Sequence, residues 1–160
     1  MSLPHGLRIR TYEPRDLDHV WALHREGIVR QDLPERPVSL SEWDADFEDI
    51  EGVYLDGGNF WVVEGPGGLV AINAIMRIDG ETARLRRMRV TAAWRRRGVA
   101  RALVHEAIAF CRQTGFRWII LDTLADQTSA QRLYEGAGFV RTGERQAGPY
   151  RLVDYALELS

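Results

Sequence analysis

The turn Arg95-Arg96-Arg97-Gly98-Val99-Ala100 decides the fold class of this 160-residue chain. Residues 83–90 before it have the pattern of a strand, and residues 99–114 after it have the pattern of a helix. A strand that enters a helix through such a turn directs free N–H groups and the positive end of the helix dipole to one point. Gly98 lets the backbone approach a ligand closely, and four arginines, at 95, 96, 97 and 101, add charged donors. The turn therefore predicts an anion-binding site.

The turn and its flanks resemble the GNAT superfamily of acyl-CoA-dependent N-acyltransferases. The family's acetyl-CoA turn has the pattern Gln/Arg-x-x-Gly-x-Gly/Ala, and residues 95–100 fit it. Farther along, residues 130–139 (AQRLYEGAGF) match the family pattern A-x-x-L-Y-x-x-x-G-F. The resemblance implies a single GNAT-like acyltransferase domain over residues 1–160. Its expected fold class is α/β (α+β), with a mixed, largely antiparallel sheet of six to seven strands, a splayed parallel pair and about four helices.

The resemblance also implies the co-substrate and the residues that bind it. Acetyl-CoA would supply the acetyl group and leave as coenzyme A, with its pantetheine arm beside the 83–90 strand. Tyr134 occupies the family's usual general-acid position, and Gln127 stands where many relatives have Asn for the pantetheine arm. A backbone N–H of Met88 or Val90 would bind the oxyanion. The implied cofactor-binding set is Met88, Val90, Arg95, Arg96, Arg97, Gly98, Val99, Ala100, Arg101, Gln127 and Tyr134.

The general base is where the sequence departs from the family. Many members carry a Glu early in the strand before the turn, and that position is Arg84 here. Neither Arg84 nor Arg86, the next residue on the same face, can serve as a base, because Arg stays protonated in proteins. A water relay or desolvation of the amine stays open. Four side chains also stay open as the base: Glu81, Asp122, His24 and Glu35. Of these, His24 lies on the apolar side of a predicted helix and fits a core residue better.

Composition predicts a soluble globular chain, with 45% apolar and 28% charged residues. No stretch approaches the ~20 apolar residues that span a bilayer, so no membrane partner is expected. A single cysteine, Cys111, excludes an internal disulfide and predicts a cytoplasmic location. Its mid-helix position among apolar residues predicts a core residue rather than a nucleophile. No spacing of His, Cys or Asp predicts a metal site.

An acidic segment precedes the predicted sheet. Residues 32–56 hold nine acidic side chains against one basic residue, Arg36. Ser39 and Glu42 form a capping-box pattern that predicts a helix in this segment, with Leu40, Trp43, Phe47 and Ile50 on one face. Most of the charges fit a solvated helix face, but an acidic rim beside the acceptor site would also favour a cationic amine.

The remaining elements follow from periodicity. Strands are predicted at 7–12, 59–64, 69–78, 83–90, 116–123, 139–144 and 151–159, and further helices from Pro14 and at 129–137. The strand at 116–123 arrives after a helix, so it should pair in parallel with 83–90.

Three functions are open at this point. The leading one is an N-acetyltransferase that acts on a primary amine of a small molecule or peptide. A non-catalytic acyl-CoA-binding module of the same fold is the alternative. Eight of the 21 arginines lie within 84–101, which makes a nucleic-acid-binding protein a third candidate. The net charge of −2 and the pI near 6.1 count against it, so no nucleic-acid partner is expected. A homodimer stays open as the assembly.

Overall fold

Seven strands form one mixed sheet in this computed structural model, which describes residues 3–30 and 45–159. The order across the sheet is β1-β2-β3-β4-β5-β7-β6. The pairing of β4 with β5 is parallel and the other five pairings are antiparallel. The strands are β1 Arg8–Thr11, β2 Asn59–Gly65, β3 Gly68–Arg77, β4 Thr82–Val90, β5 Trp118–Leu124, β6 Val140–Ala147 and β7 Tyr150–Glu158.

Helices cover both faces of this sheet. On one face, α1 (Leu17–Arg30) and α2 (Ile50–Tyr54) enclose a core that includes Val20, Phe60 and Ile72. On the other, α3 (Val99–Thr114) and α4 (Thr128–Gly136) enclose a second core. Short 3₁₀ turns lie at Pro14–Asp16, Ala45–Asp49 and Ala92–Trp94. No helix in the described part of the chain is both long and apolar enough to cross a membrane.

The parallel pair is short, and this positions the site. β4 and β5 pair only where Thr82–Arg84 meets Trp118–Ile120. Beyond these residues β4 stays with β3 and β5 stays with β7, so the two strands diverge toward their carboxyl ends. The predicted fold class, with its splayed parallel pair and, within the described ranges, four α-helices, is confirmed.

The predicted second helix differs in the part that can be compared. Ser39, Leu40, Glu42 and Trp43 lie outside the described residues. Phe47 and Ile50 are buried as expected, but they belong to two elements, the 3₁₀ turn Ala45–Asp49 and α2. Asp49 leaves helical geometry (φ −148°, ψ 69°), and its side chain accepts the Gly52 N–H at 2.9 Å. It therefore caps a new helix instead of continuing the old one.

The single cysteine lies in the second core, as predicted. Cys111 is fully buried on α3, and burial raises the pKa of its thiol to about 12. A thiol with that pKa is protonated at neutral pH and is a poor nucleophile.

Candidate active site

The diverging ends of β4 and β5 open a cleft with two connected cavities. The smaller one, of about 280 Å³, lies between the strands and reaches Tyr134 on α4. The larger one, of about 700 Å³, extends from there along the turn before α3. Five residues line both cavities, so the two adjoin: Met88, Arg89, Gln127, Ala130 and Leu133.

The arginine-rich turn forms the outer wall of the larger cavity. Arg96 and Gly98 both have positive φ angles, of +60° and +84°. Alternation of left-handed and right-handed residues turns successive N–H groups toward one side and makes a concave anion site. The free N–H groups of the first turn of α3 follow directly. A Cβ at Gly98 would have no protein atom within 4 Å, so the space it would enter is open.

The structure brings nearly all of the predicted cofactor-binding residues to this cleft. Tyr134 lines the smaller cavity. The Arg97 side chain does not line either cavity; its guanidinium stacks 4.8 Å over the ring of Trp94, which no sequence motif marked and which lines the larger cavity. Nine of the eleven predicted residues line the larger cavity: Met88, Val90, Arg95, Arg96, Gly98, Val99, Ala100, Arg101 and Gln127.

The edge of β4 that faces the gap offers backbone groups to a ligand. The Met88 carbonyl accepts a hydrogen bond from the Arg89 side chain (3.1 Å), and the Val90 carbonyl accepts one from Arg95 (3.0 Å). Neither residue pairs with β5. The N–H and C=O of a strand residue point to the same side, so the N–H groups of Met88 and Val90 also face the gap.

Tyr134 is positioned as a hydrogen-bond donor in the smaller cavity. The side chain is only 5% exposed and packs edge-on against Phe139, with ring centroids 5.8 Å apart. Burial raises the pKa of the phenol to about 12, opposed by the charge of Arg89 and reinforced by that of Asp122. At neutral pH the hydroxyl is therefore protonated and can donate to an anion in the cleft.

Of the three candidate bases that the structure describes, only Asp122 is placed at the cleft. Glu81 is exposed at the start of β4, where the strands are still paired, and its carbonyl accepts the N–H groups of Arg117 and Trp118. His24 is fully buried in the first core, 4.8 Å from the ring of Phe47, which confirms the prediction of a core histidine. Glu35 lies outside the described residues. Asp122, on β5, lines the smaller cavity.

Arginines hold Asp122 from two sides. Arg145 of the edge strand β6 donates to its carboxylate at 2.5 Å and also bonds Asp154 at 3.1 Å. Arg84, at the position where many family members have Glu, lies 3.9 Å from the same carboxylate. The Asp122 carboxylate thus lies beside Arg84, which occupies the family's base position, but it belongs to the neighbouring strand.

A bulge in β4, which the sequence did not predict, shapes the floor of the cleft. The register between β3 and β4 shifts between Ile72 and Ala74, and Arg87 takes a positive φ of +63° within the shift. The Arg87 guanidinium donates two hydrogen bonds to the buried carboxylate of Asp46 and lies 4.6 Å over the ring of Phe47. Nothing in the local sequence marks a bulge at Arg87, because the partner carboxylate is distant in the chain.

The Asp46–Arg87 pair should stabilise the fold strongly. Burial alone would raise the pKa of Asp46, but the hydrogen bonds and charge of Arg87 outweigh it and lower the pKa below its ordinary value. Replacing Asp46 with Asn removes the buried carboxylate that accepts two hydrogen bonds from Arg87, so we expect a loss of about 3–5 kcal/mol in the free energy of unfolding. Urea unfolding at pH 7 measures it.

The pH dependence provides a second check on this pair. Because the folded-state pKa of Asp46 is depressed, its stabilisation is complete above about pH 4 and is lost as the pH falls through the folded value. The Asp46→Asn difference should therefore shrink in acid. The exposed neighbour Glu48, changed to Gln, is the control and should stay within about 0.5 kcal/mol. Equal effects of the two substitutions would contradict the role of Asp46.

The β6–β7 end of the cleft supplies residues that no motif marked. Tyr150 and Leu152 of β7 line the smaller cavity beside Thr123 and Leu124 of β5. Their alternation in the sequence predicts a strand but not which cavity it borders. Among the described residues, no group of three or more His, Cys, Asp or Glu side chains is arranged to hold a metal ion.

Comparisons with known sequences agree with this geometry. Residues 20–139 match the profile described as the acetyltransferase (GNAT) family. Human N-acetyltransferase 8 is 37% identical over 106 residues, which are 62% of this chain and 47% of that protein. The N-acetylaspartate synthetase of Danio rerio is 38% identical over 118 residues, 69% of this chain and 42% of that protein. The chain thus spans about half the length of these curated relatives, or somewhat less.

Solved structures share the fold over nearly the whole chain. A Streptococcus agalactiae acetyltransferase superposes with a TM-score of 0.84 at 23% identity, covering 98% of this chain and 100% of that one. A Salmonella typhimurium protein solved with its cofactor acetyl-CoA gives a TM-score of 0.76 at 18% identity, with 98% and 95% covered. At these identities the likeness concerns the fold.

Proposed function

Because the chain belongs to the acetyltransferase (GNAT) family, we propose that it transfers the acetyl group of acetyl-CoA to a primary amine of a small molecule or peptide by direct attack. One observation carries the proposal. The cleft between β4 and β5, made of two adjoining cavities, has the arginine-rich turn at its outer end and the protonated hydroxyl of Tyr134 in its inner cavity. Such a path suits a long phosphorylated thioester that meets its acceptor in the middle of the sheet.

The residues of the outer cavity fit coenzyme A. The N–H groups from Arg96 to Arg101 and the guanidiniums of Arg95, Arg96 and Arg101 would bind the pyrophosphate. The free edge of β4 at Met88 and Val90 would pair with the amide groups of the pantetheine arm, and Gln127 faces the same passage. The thioester would then lie where the two cavities join.

Acetyl transfer to an amine places three demands on the inner cavity. An alkylammonium with a pKa of about 10.4 must lose its proton, which at pH 7 costs roughly 4.6 kcal/mol. The carbonyl oxygen of the thioester becomes an oxyanion, for which the N–H groups of Met88 and Val90 are the candidate donors. The leaving thiolate needs a donor, and Tyr134 would supply that hydrogen bond or proton.

The acceptor, location and assembly are further proposals. One relative is named for N-acetylaspartate, an acetylated amino acid, which supports a small-molecule amine as the acceptor. The acidic residues of segment 32–56 add little direct support, since Asp46 and Asp49 bond protein groups. A cytoplasmic location rests on the single cysteine, and a homodimer on no observation of this chain alone.

A thiol-release assay tests the proposed function. The purified chain is incubated with acetyl-CoA and a panel of primary amines, and free coenzyme A is followed with time. We expect release that depends on both protein and amine. Binding of acetyl-CoA without amine-dependent release would instead favour a non-catalytic acyl-CoA-binding module.

The role of Asp122 can be separated from that of a fixed base. We expect Asp122→Asn to raise the KM for amines about tenfold, because the substitution removes the carboxylate that faces the ammonium in the cleft. In the variant, kcat/KM should still rise with pH around the pKa of each amine. Asp122 is not expected to be the base, because Arg145 and Arg84 hold its carboxylate. Rates for sterically similar amines of different pKa measure this.

Asp126, which is exposed and lines neither cavity, changed to Asn should leave the KM unchanged. If wild type shows a titration that is constant across the amine series and Asp122→Asn removes it, Asp122 is the general base and deprotonation without a fixed base is ruled out.

A further inference from the structure

The bulge in β4 directs an unusual set of charges to one face of the sheet. Arg86 lies opposite Ala74 and Arg89 lies opposite Ile72, and both partners belong to the core under α1 and α2. Directly opposed residues of an antiparallel pair share a face. Arg87, between them, reaches Asp46 on that face as well. The extra residue of the bulge thus places three arginines on the same side within four positions.

Arg86 and Arg89 bring positive charge to the smaller cavity beside Arg87, whose charge the Asp46 carboxylate balances. Among its described lining residues, three carry a positive charge and one, Asp122, carries a negative charge. The Asp46 carboxylate accepts hydrogen bonds from Arg87 and from the Tyr54 hydroxyl. The Arg86 guanidinium lies 3.9 Å from the same carboxylate, which is ion-pair distance but too long for a hydrogen bond. Asp122 is similarly engaged by Arg145. Arg86 lines this cavity, and 28% of its side chain is exposed.

The position of each guanidinium matters for what it can bind. Arg89 lines both cavities, so it lies near the junction where the thioester would sit. Arg86 lines only the smaller cavity, farther along β4 from that junction. A molecule whose amine reaches the junction would therefore place its neighbouring groups beside Arg86. A guanidinium has the planar pair of donors that matches a carboxylate.

We propose that the acceptor carries a carboxylate beside its amine, as an amino acid does, and that Arg86 binds this carboxylate with Arg89 adding positive potential. The inference rests on the proposed acetyltransferase function for its orientation, but its charge argument concerns the cavity alone. Asp122, on the opposite wall, would face the ammonium. The cavity would thus match both charges of a zwitterion.

The experiment compares acceptors and variants in a cycle. Initial rates are measured for a panel of L-amino acids and the corresponding amino-acid amides, with wild type and Arg86→Gln. Differences in intrinsic amine reactivity cancel when the effect of the variant is taken for each acceptor separately. We expect Arg86→Gln to lower kcat/KM about tenfold or more for the acids and less than twofold for the amides, with an unchanged KM for acetyl-CoA. Arg86→Lys should recover part of the loss.

A control variant and a binding measurement complete the design. Arg141→Gln removes an exposed arginine of β6 that pairs with Glu144 and lines neither cavity, and it should leave both acceptor classes unaffected. Calorimetry compares binding of N-acetyl-amino acids and their amides in the presence of coenzyme A, and needs no turnover. Wild type should bind the acids more tightly, and Arg86→Gln should abolish the difference.

The outcomes distinguish this inference from the proposed function. If amines are acetylated but Arg86→Gln affects acids and amides equally, the inference is overturned and the acetyltransferase function stands. If no amine is acetylated, the proposed function fails and the binding comparison decides the inference alone. Equal binding of acids and amides by wild type would then overturn it.

Discussion

Replacing Tyr134 with Phe is expected to lower kcat about a hundredfold or more, while the affinity for coenzyme A stays within twofold. The substitution keeps the ring that packs against Phe139 and removes only the hydroxyl in the smaller cavity. That hydroxyl is buried, and its pKa of about 12 keeps it protonated, so it is a donor throughout the neutral range. Steady-state rates and calorimetry measure the two effects.

Tyr155 provides a matched control for the loss of a buried tyrosine hydroxyl. Its side chain is 1% exposed, and its hydroxyl donates to Glu135 at 2.6 Å, away from both cavities. Tyr155→Phe should therefore cost stability without a large effect on kcat. If Tyr134→Phe turns over like wild type in a single-turnover experiment, where product release does not limit the rate, Tyr134 is a packing residue and not the donor.

Replacing Gly98 with Val should raise the dissociation constant for coenzyme A about tenfold or more. Gly98 has a φ of +84°, which a β-branched residue adopts only with strain, and its side chain would enter the open space in front of the turn. We expect that space to hold the pyrophosphate, bound by the N–H groups at the start of α3. Isothermal titration with coenzyme A measures the change.

A substitution at the other end of α3 separates the effect of backbone strain from that of occluding the phosphate site. Gly115 ends α3 with a φ of +96° and likewise has no protein atom within 4 Å of an added Cβ, but it lines neither cavity. Gly115→Val should therefore lose comparable stability and keep its affinity for coenzyme A. If the two variants lose affinity equally, or if a folded Gly98→Val protein binds as wild type does, the phosphate site is misplaced.

The fold could be predicted because its signals are local. The alternation in 59–78 and the helical period of 99–114 each depend on neighbours in the chain, and α3 begins and ends where the sequence predicts. The turn before α3 could be assigned for the same reason. The outer half of the site was therefore accessible from sequence.

The inner half depends on contacts between distant residues. The bulge at Arg87 is held by Asp46, and Asp122 on β5 is held by Arg145 on β6, across the intervening strand β7. Neither pairing leaves a pattern in the sequence. The charge of the smaller cavity follows from the bulge, so the sequence pointed to the acidic segment and did not place Arg86 at the acceptor site. For the same reason the sequence did not assign the general base. In the structure, Glu81 and His24 lie away from the cleft.

Transfer of isotopically labelled acetyl from acetyl-CoA to an amine tests the central claim most directly. The acceptor is recovered after incubation with wild type, Tyr134→Phe and Gly98→Val, and its mass is measured. We predict one labelled acetyl group on the amine nitrogen with wild type, formed in step with the release of coenzyme A and much more slowly with both variants. Acceptor that stays unlabelled while the protein binds acetyl-CoA, or label transferred equally fast by all three proteins, would contradict the claim.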